Sequence, residues 1–416
     1  MRVAASIALA ALGCIGCASL PAEVAQANGA QALPKWRAVD AETGKVSDLA
    51  GLSALSRDFP DSGSIRLRLL NAQLQAGDWP ALIDTLRWLQ QRGYVFSESA
   101  REQIPELVGE QFSGAARALL LPPAEPIENS EVAWTIPAEA GLVESFVVDL
   151  ESGRLAATSI TSRSLWGTTP DGGWREVELD GADNLSGIVY DNLSGELWVA
   201  SGNIDQSQDD TPAFSGFIGA LGKSARISAP EGVALSDVHR ATDGTIYASD
   251  PLNGGIYSFG TDRDQIATLV PPGIFRSPQG IASSEDGRRL YVSDYRYGIA
   301  IVDLASGAVS RLETDLPLIL DGTDALFRHG NSLVAIQNGT SPLRISRFDL
   351  SEDGSRIVGH RILEQAHSDW TEPLSGHLGP DALYYVGNGQ WDKYAGGVLV
   401  EGKSPDPTQI RRLPLD

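Results

Sequence analysis

The chain has 416 residues, 54 of them acidic against 32 basic, for a net charge of −22. An acidic surface of that kind repels a phosphate backbone and argues against nucleic-acid partners. Two cysteines cannot make a disulfide framework or a four-cysteine zinc site, and 44 glycines with 23 prolines suit a turn-rich β protein better than a helical bundle.

The first residues predict an export leader, over 1–27. Arg2 supplies a basic start, and the apolar run from Val3 to Gly16 is too short to span a bilayer. Ile15-Gly16-Cys17-Ala18 is similar to a bacterial lipoprotein cleavage site, which makes Cys17 a candidate lipid attachment point. Cys14 after Leu12-Gly13, or ordinary cleavage after Ala25-Gln26-Ala27, are the alternatives. Either route exports the protein, to the bacterial periplasm or as an outer-membrane lipoprotein with a lipid anchor. A fold without disulfides there must rest on its own core.

Residues 28–125 read as a helical region with a linker. Leu49, Leu52 and Leu55 recur at helical spacing between Ser47 and Phe59. Ser64 is placed to cap a helix through Ile65, Leu67, Leu69, Leu70 and Leu74 that stops at Gly77. Asp78-Trp79-Pro80 opens the next, because Pro is tolerated in a first turn, and Leu82, Ile83, Leu86 and Leu89 form its apolar face up to Gly93. Ser97 or Ser99 starts another, with Ile104 and Leu107 inward. The central pair is similar to one tetratricopeptide-type hairpin. Such a segment either caps its neighbour or offers a groove to a protein partner. Leu120 to Ser130 is Pro-rich and reads as a linker.

From 126 to 416 short strands replace helices. Segments beginning at Glu144, Ser186, Glu231, Gln279, Thr323 and Gly376 align with one another: a polar anchor, a short apolar strand, a polar turn, a second strand. Their spacing suits one four-stranded blade per repeat and predicts a mainly β, six-bladed β-propeller behind an N-terminal α-helical segment. Ring closure is expected to pair Val132-Trp134-Ile136 with C-terminal strands at Gly397 to Val400 and Ile410 to Leu413, which would leave no exposed edge.

In a propeller the first strand of each blade lines the central channel. Glu144, Asp237, Gln279 and Asp324 stand at those starts, with Asn184, Asn338 and Asn388 near them. Carboxylates with amide oxygens are hard-ligand chemistry suited to Ca²⁺ or another divalent cation. Buried carboxylates without a compensating cation are costly. No HExxH or HxxxH occurs, so zinc is unsupported.

ESFVVD from Glu144, SPQGIASSEDGRRLYVSD from Ser277 and TDALFRHGNSLVAIQNGTSPLRISRFDL from Thr323 resemble the SMP-30/gluconolactonase/LRE-like family over roughly 140–395. The resemblance implies a propeller with one divalent cation, usually Ca²⁺, at the channel mouth, and hydrolysis of lactones or related esters. It implies metal ligands at Glu144, Gln279 and Asp324, with Asp324 also the catalytic base. Gln279 replaces the family's Asn and is one methylene longer. Asp237, in Ser236-Asp237 where the family commonly has Asn-Asp, would orient substrate hydroxyls, and Asn338 in AIQNG would contact substrate. His377 is an alternative base, and Trp166, Trp198, Tyr295, Trp370 and Trp391 are candidates for an apolar mouth.

No Gly-x-Ser-x-Gly elbow, Walker loop or dinucleotide fingerprint occurs. Two functions lead: a metal-dependent lactone or ester hydrolase of the cell envelope, or a non-catalytic propeller there that binds a protein or small ligand; a quinone- or sugar-dependent dehydrogenase propeller is a third.

Overall fold

The structure, a computed structural model, describes residues 33–415 apart from 192–194, 205, 208–213, 221–224 and 261–264. The leader, Cys14 and Cys17 lie outside the described residues. Residues from Leu33 onward form one compact unit. No described helix is long and apolar enough to cross a membrane.

Six helices come first: α1 (Ala41–Lys45), α2 (Leu49–Asp58), α3 (Gly63–Ala76), α4 (Trp79–Gln91), α5 (Glu98–Leu107) and α6 (Glu110–Leu119). Their ends follow capping chemistry. Asp48, Ser62, Asp78 and Ser97 each accept a first-turn N–H, and Gly77 ends α3 in the left-handed conformation at φ 68°. Ser62, not Ser64, caps α3: the Ser64 N–H is drawn instead to a carboxylate of the propeller, Asp321. Leu107 is exposed rather than inward, because α5 turns Pro105 to the core. Helix α6, which the apolar spacing does not announce, buries Ala116 among Leu82, Leu86 and Leu89 of α4.

Among the described residues six blade sheets follow, four of them antiparallel with their strands in chain order; the fifth gains a parallel outer strand, Glu313–Thr314 beside Arg356–Gln365, and the sixth is closed by an early strand. Their inner strands are Val143–Asp149, Leu185–Asp191, Val238–Arg240, Pro278–Ser283, Ala325–His329 and Gly376–Leu378. Each touches the next, and the sixth touches the first, so the sheets close a ring. Blade six is completed by Glu131–Ile136 paired on the outside of Thr408–Pro414. The closure at Ile410 to Leu413 is as expected. Residues Gly397 to Val400 do not join it: Val398–Leu399 pairs with Tyr394–Ala395 in a separate hairpin. Two glycines before Val398, at φ 56° and 75°, make that tight reversal.

The helices share a core with blades three and four. Trp36 meets Phe59 of the α2 C-cap edge-on at 4.9 Å and Phe275 at 5.4 Å, and Phe59 meets Tyr297 at 4.8 Å. Leu52, Leu55, Ile65 and Leu69 complete this cluster with Val292 and Val302. The Asp321 carboxylate, in the connection from blade four to blade five, accepts the Gly63 N–H and the Ser64 N–H at 2.7 Å each. A buried acid at a helix N-terminus is favoured by both the unpaired N–H groups and the helix dipole.

The segment before the closing strand is pinned as firmly. Glu364, fully buried, accepts from the Asn129 and Ser130 N–H groups, the Ser130 hydroxyl and the Tyr385 hydroxyl, at 2.7–3.1 Å. The Pro-rich stretch therefore ends in a fixed approach to the ring, with Ile127 bridging to Gln365. Replacing Glu364 by Ala strands those donors and should cost about 3 kcal/mol in urea unfolding. The exposed control Glu352→Ala should stay within about 0.5 kcal/mol; equal effects would refute the staple.

Candidate functional site

A pocket of about 350 Å³ opens at one end of the channel. It brings together four residues expected from sequence: Glu144, Gln279, Asp324 and Asn338. Local backbone irregularity explains their aim. The inner strands of blades one, two and four each carry a register break, between Val143 and Phe146, Leu185 and Ile188, and Pro278 and Ile281. Glu144, Ser186 and Gln279 occupy the same place within it. A bulge re-aims a side chain that a regular strand would send elsewhere. In blade two the place is used structurally, since Ser186 donates to backbone carbonyls of Leu235 and Ser236.

Gly280 then lets two inner strands meet. A Cβ there would stand 2.3 Å from the Leu326 nitrogen, and the Gly280 N–H donates to the Asp324 carbonyl at 2.9 Å. The Asp324 N–H donates to Ile336 within its own blade. Asp324 is thereby fixed from both sides by backbone alone, and its side chain is left to the pocket.

The carboxyl groups are electrostatically linked. Burial pushes Glu144 up to about 8, helped by the charges of Asp237 and Glu372, while the Trp391 indole N–H, 2.9 Å from Glu144 Oε2, opposes the shift. Burial likewise raises Asp237 to about 7. Asp324 lies well above the carboxylate range through burial and then the charges of Glu144, Asp237 and Glu372, and the Asn338 amide pulls it back. Asp237 does not line the pocket, yet both Glu144 and Asp324 feel its charge.

Asn338 is held by the Tyr295 hydroxyl, which donates to Oδ1 at 2.8 Å, and itself donates to the Pro373 carbonyl at 3.1 Å. The Gln279 amide nitrogen donates to Ser277 Oγ at 3.3 Å, leaving its oxygen without a protein donor among the described residues. Tyr295 and Trp391 line the pocket as expected of mouth aromatics. The other three do not: Trp166 and Trp198 are core residues, and Trp370 donates to the Tyr385 hydroxyl. His377 is absent from the lining. Asn184 and Asn388 brace loops, donating to the Ile160 and Gln206 carbonyls and to Pro407 respectively.

Glu372, Arg276 and Arg296 complete the lining. Sequence reasoning missed Glu372 because the sixth repeat was aligned from Gly376. Glu372 lies just before that strand, as Asp324 lies just before its own, so a search of the preceding connections would have found it. The two arginines share the lining with three acids, which limits the net charge of the mouth.

Among the described residues no group of three or more His, Cys, Asp or Glu side chains converges in metal-binding geometry. The donor chemistry nevertheless fits a hard cation: three carboxylates and two amides line one pocket, and the acids repel one another.

No family model matches the chain, and no curated protein matches it in sequence. Solved structures match in shape. Virginiamycin B lyase from Staphylococcus aureus is 14% identical, with 69% of this chain and 100% of that chain covered and a TM-score of 0.48. A gluconolactonase from Xanthomonas campestris is 14% identical over 71% and 99%, with a TM-score of 0.44. The calcium-binding protein regucalcin from Agrobacterium tumefaciens is 16% identical over 68% and 93%, with a TM-score of 0.45. At such values the likeness carries no weight on chemistry.

The raised carboxyls set the sign of a pH effect. Above the unfolded value of 4.5 the folded protein holds a proton on Glu144 that the unfolded chain has lost, up to about 8. Stability in EDTA should therefore fall as pH rises through that window, with a slope of about 1 kcal/mol per pH unit for one such proton. Glu144→Gln should flatten the slope in urea unfolding; an unchanged slope would show that Glu144 is not the group responsible.

Proposed function

We propose that the pocket is the site of a divalent-cation-dependent hydrolase of small lactones or esters. The observation that carries this reading is the meeting of Glu144 and Asp324 in one pocket within electrostatic reach of Asp237, each acid raised by burial and the Asp324 proton held further by its neighbours. Such an arrangement is unfavourable empty and favourable around positive charge. The resemblance of the blade-start segments to the SMP-30/gluconolactonase/LRE-like family supports it.

Glu144, Gln279 and Asp324 would hold the cation, Ca²⁺ by the hardness of the donors. A bound cation would polarise a carbonyl and stabilise charge developing on its oxygen. The protein's own residues do the rest. Trp391 fixes Glu144 through one oxygen and leaves the other to the pocket. Asp324, anchored by the Gly280 N–H at its carbonyl, accepts a proton from water at a carboxylate oxygen. Burial and the charges of Glu144, Asp237 and Glu372 favour its protonated form, and a bound cation would favour the carboxylate, which ties its basicity to the site's occupancy. Asn338, locked by Tyr295 and the Pro373 carbonyl, lines the pocket where it would contact substrate. Asp237, outside the lining, acts on both acids through its charge. Leu252, Leu374, Ile204 and the Trp391 ring give apolar walls, and a pocket of this volume suits a small molecule.

We place the protein at the cell envelope on the strength of the leader, with Cys17 as its lipid attachment point.

Millimolar Ca²⁺ should raise the melting temperature by several degrees, and EDTA should reverse it. Asp324→Asn should lower hydrolysis of a lactone panel at least ~100-fold with the fold intact by circular dichroism. A Ca²⁺ response with no hydrolysis of any lactone or ester would sink the catalytic reading and leave a binding protein. Absence of any Ca²⁺ response would sink the cation.

A further inference from the structure

A second cavity, of about 240 Å³, lies at the seam between the end of α4 and blade five. Gln91, Arg92, Ile319, Arg344, His360 and Gln365 are among its lining, which contains no acidic residue. In a chain with 54 acids and 32 bases that is a notable exclusion. Arg344 is 4% exposed, and its Nε donates to Gln337 Oε1 at 3.1 Å. Among the described residues its two terminal nitrogens have no hydrogen-bond acceptor, and neither Arg344 nor Arg92 makes an ion pair. Burial lowers Arg344 to about 10, which still leaves it charged at neutral pH.

The Asp321 charge favours the Arg344 cation, but the two make no ion pair and neither Asp321 nor Asp61 lines the cavity. Asp321 is held by the N-terminus of α3, and Asp61 lies 3.7 Å from Arg311. The nearby carbonyls are also taken: Leu318 accepts from Arg92 Nε at 3.0 Å and Ile319 from Gln337 at 2.9 Å. At the end of α4 the Leu89 and Gln90 carbonyls accept the N–H groups of Arg92, Gly93 and Tyr94, so the helix's negative end is satisfied. Arg92 is fixed by its bond to Leu318 and by stacking 3.9 Å over the Trp88 ring. His360 is kept neutral by burial and by the charge of Arg344, and stacks on Phe348. A buried guanidinium without an anion is costly, and its planar fork matches a two-oxygen ligand.

We propose that this seam cavity binds a small oxyanion, a phosphate or a carboxylate, gripped by Arg344 from blade five and Arg92 from α4. The Gln91 amide supplies a further donor, and the Gln365 amide, which already donates to the Glu125 carbonyl at 2.9 Å, has one N–H left. The site is separate from the channel pocket and shares none of its lining, so its test does not depend on the hydrolase reading.

Isothermal titration of the whole protein with inorganic phosphate and with malonate, at ionic strength fixed by chloride, distinguishes the two ligand classes. We expect saturable binding of at least one anion, weakened tenfold or more by Arg344→Gln and threefold or more by Arg92→Gln. Arg92 is partly exposed, so its variant serves if the buried substitution does not fold. Tighter phosphate binding assigns a phosphoryl ligand, and tighter malonate binding a carboxylate. No saturable binding of either anion, or binding that the folded variants keep at full strength, overturns the proposal.

Discussion

The reception of Asp321 by the first turn of α3 holds together the parts of this molecule that matter for function. One buried carboxylate takes two helix N–H groups, and Ser62 of the same turn donates to the Arg296 carbonyl at 2.8 Å. Arg296 lines the channel pocket, and Asp324 follows Asp321 in the same connection. The helices therefore brace the loops around the pocket. Ser341, in the loop that carries Asn338, exchanges hydrogen bonds with Val95 in the same way. Gln337 extends the clamp inward, joining the Ile319 and Asp321 carbonyls to the Arg344 guanidinium and the Ser346 hydroxyl.

Two kinds of charge are left unresolved by this scaffold, and they lie in different places. The channel mouth holds acids that raise one another, while the α4 seam holds an arginine without an acid. Folding tolerates both because each sits where strong backbone bonding fixes the chain regardless: Asp324 by Gly280 and Ile336, Arg344 by the central position of its strand in a five-stranded sheet. Local cost at sites paid for by surrounding structure is the pattern expected of functional positions.

The repeat was legible because propeller blades impose their period on composition: polar anchor, apolar strand, turn. The positions of Glu144, Gln279 and Asp324 could be read from it, since blade starts line a channel in any propeller. Glu372 could not, because it sits in an irregular connection that carries no period; Trp391, in another such connection, stands out only by its aromatic type. For a different reason the sequence does not separate Ser62 from Ser64 as the cap of α3. Both serines suit a cap locally, and only the distant Asp321 decides between them. Gly397 to Val400 has a strand's composition but lies beyond the reach of any blade edge, where a local hairpin is the remaining way to satisfy its backbone. The chemistry of the α4 seam depends on Arg92 and Arg344 meeting across two elements, which no spacing announces.

The ring is sealed between segments far apart in the chain: Arg411 Nε bonds to Ser130 Oγ across 281 residues. The channel pocket straddles that seam, with Glu144 from blade one grasped by Trp391 from blade six. During synthesis, five blades can emerge and pair while this grasp is still unavailable. The pocket can assemble only once 408–414 has slid between its two neighbours. The site thus depends on both ends of the propeller chain at once, through the strand 408–414 that pairs with 131–136 on one side and 382–386 on the other.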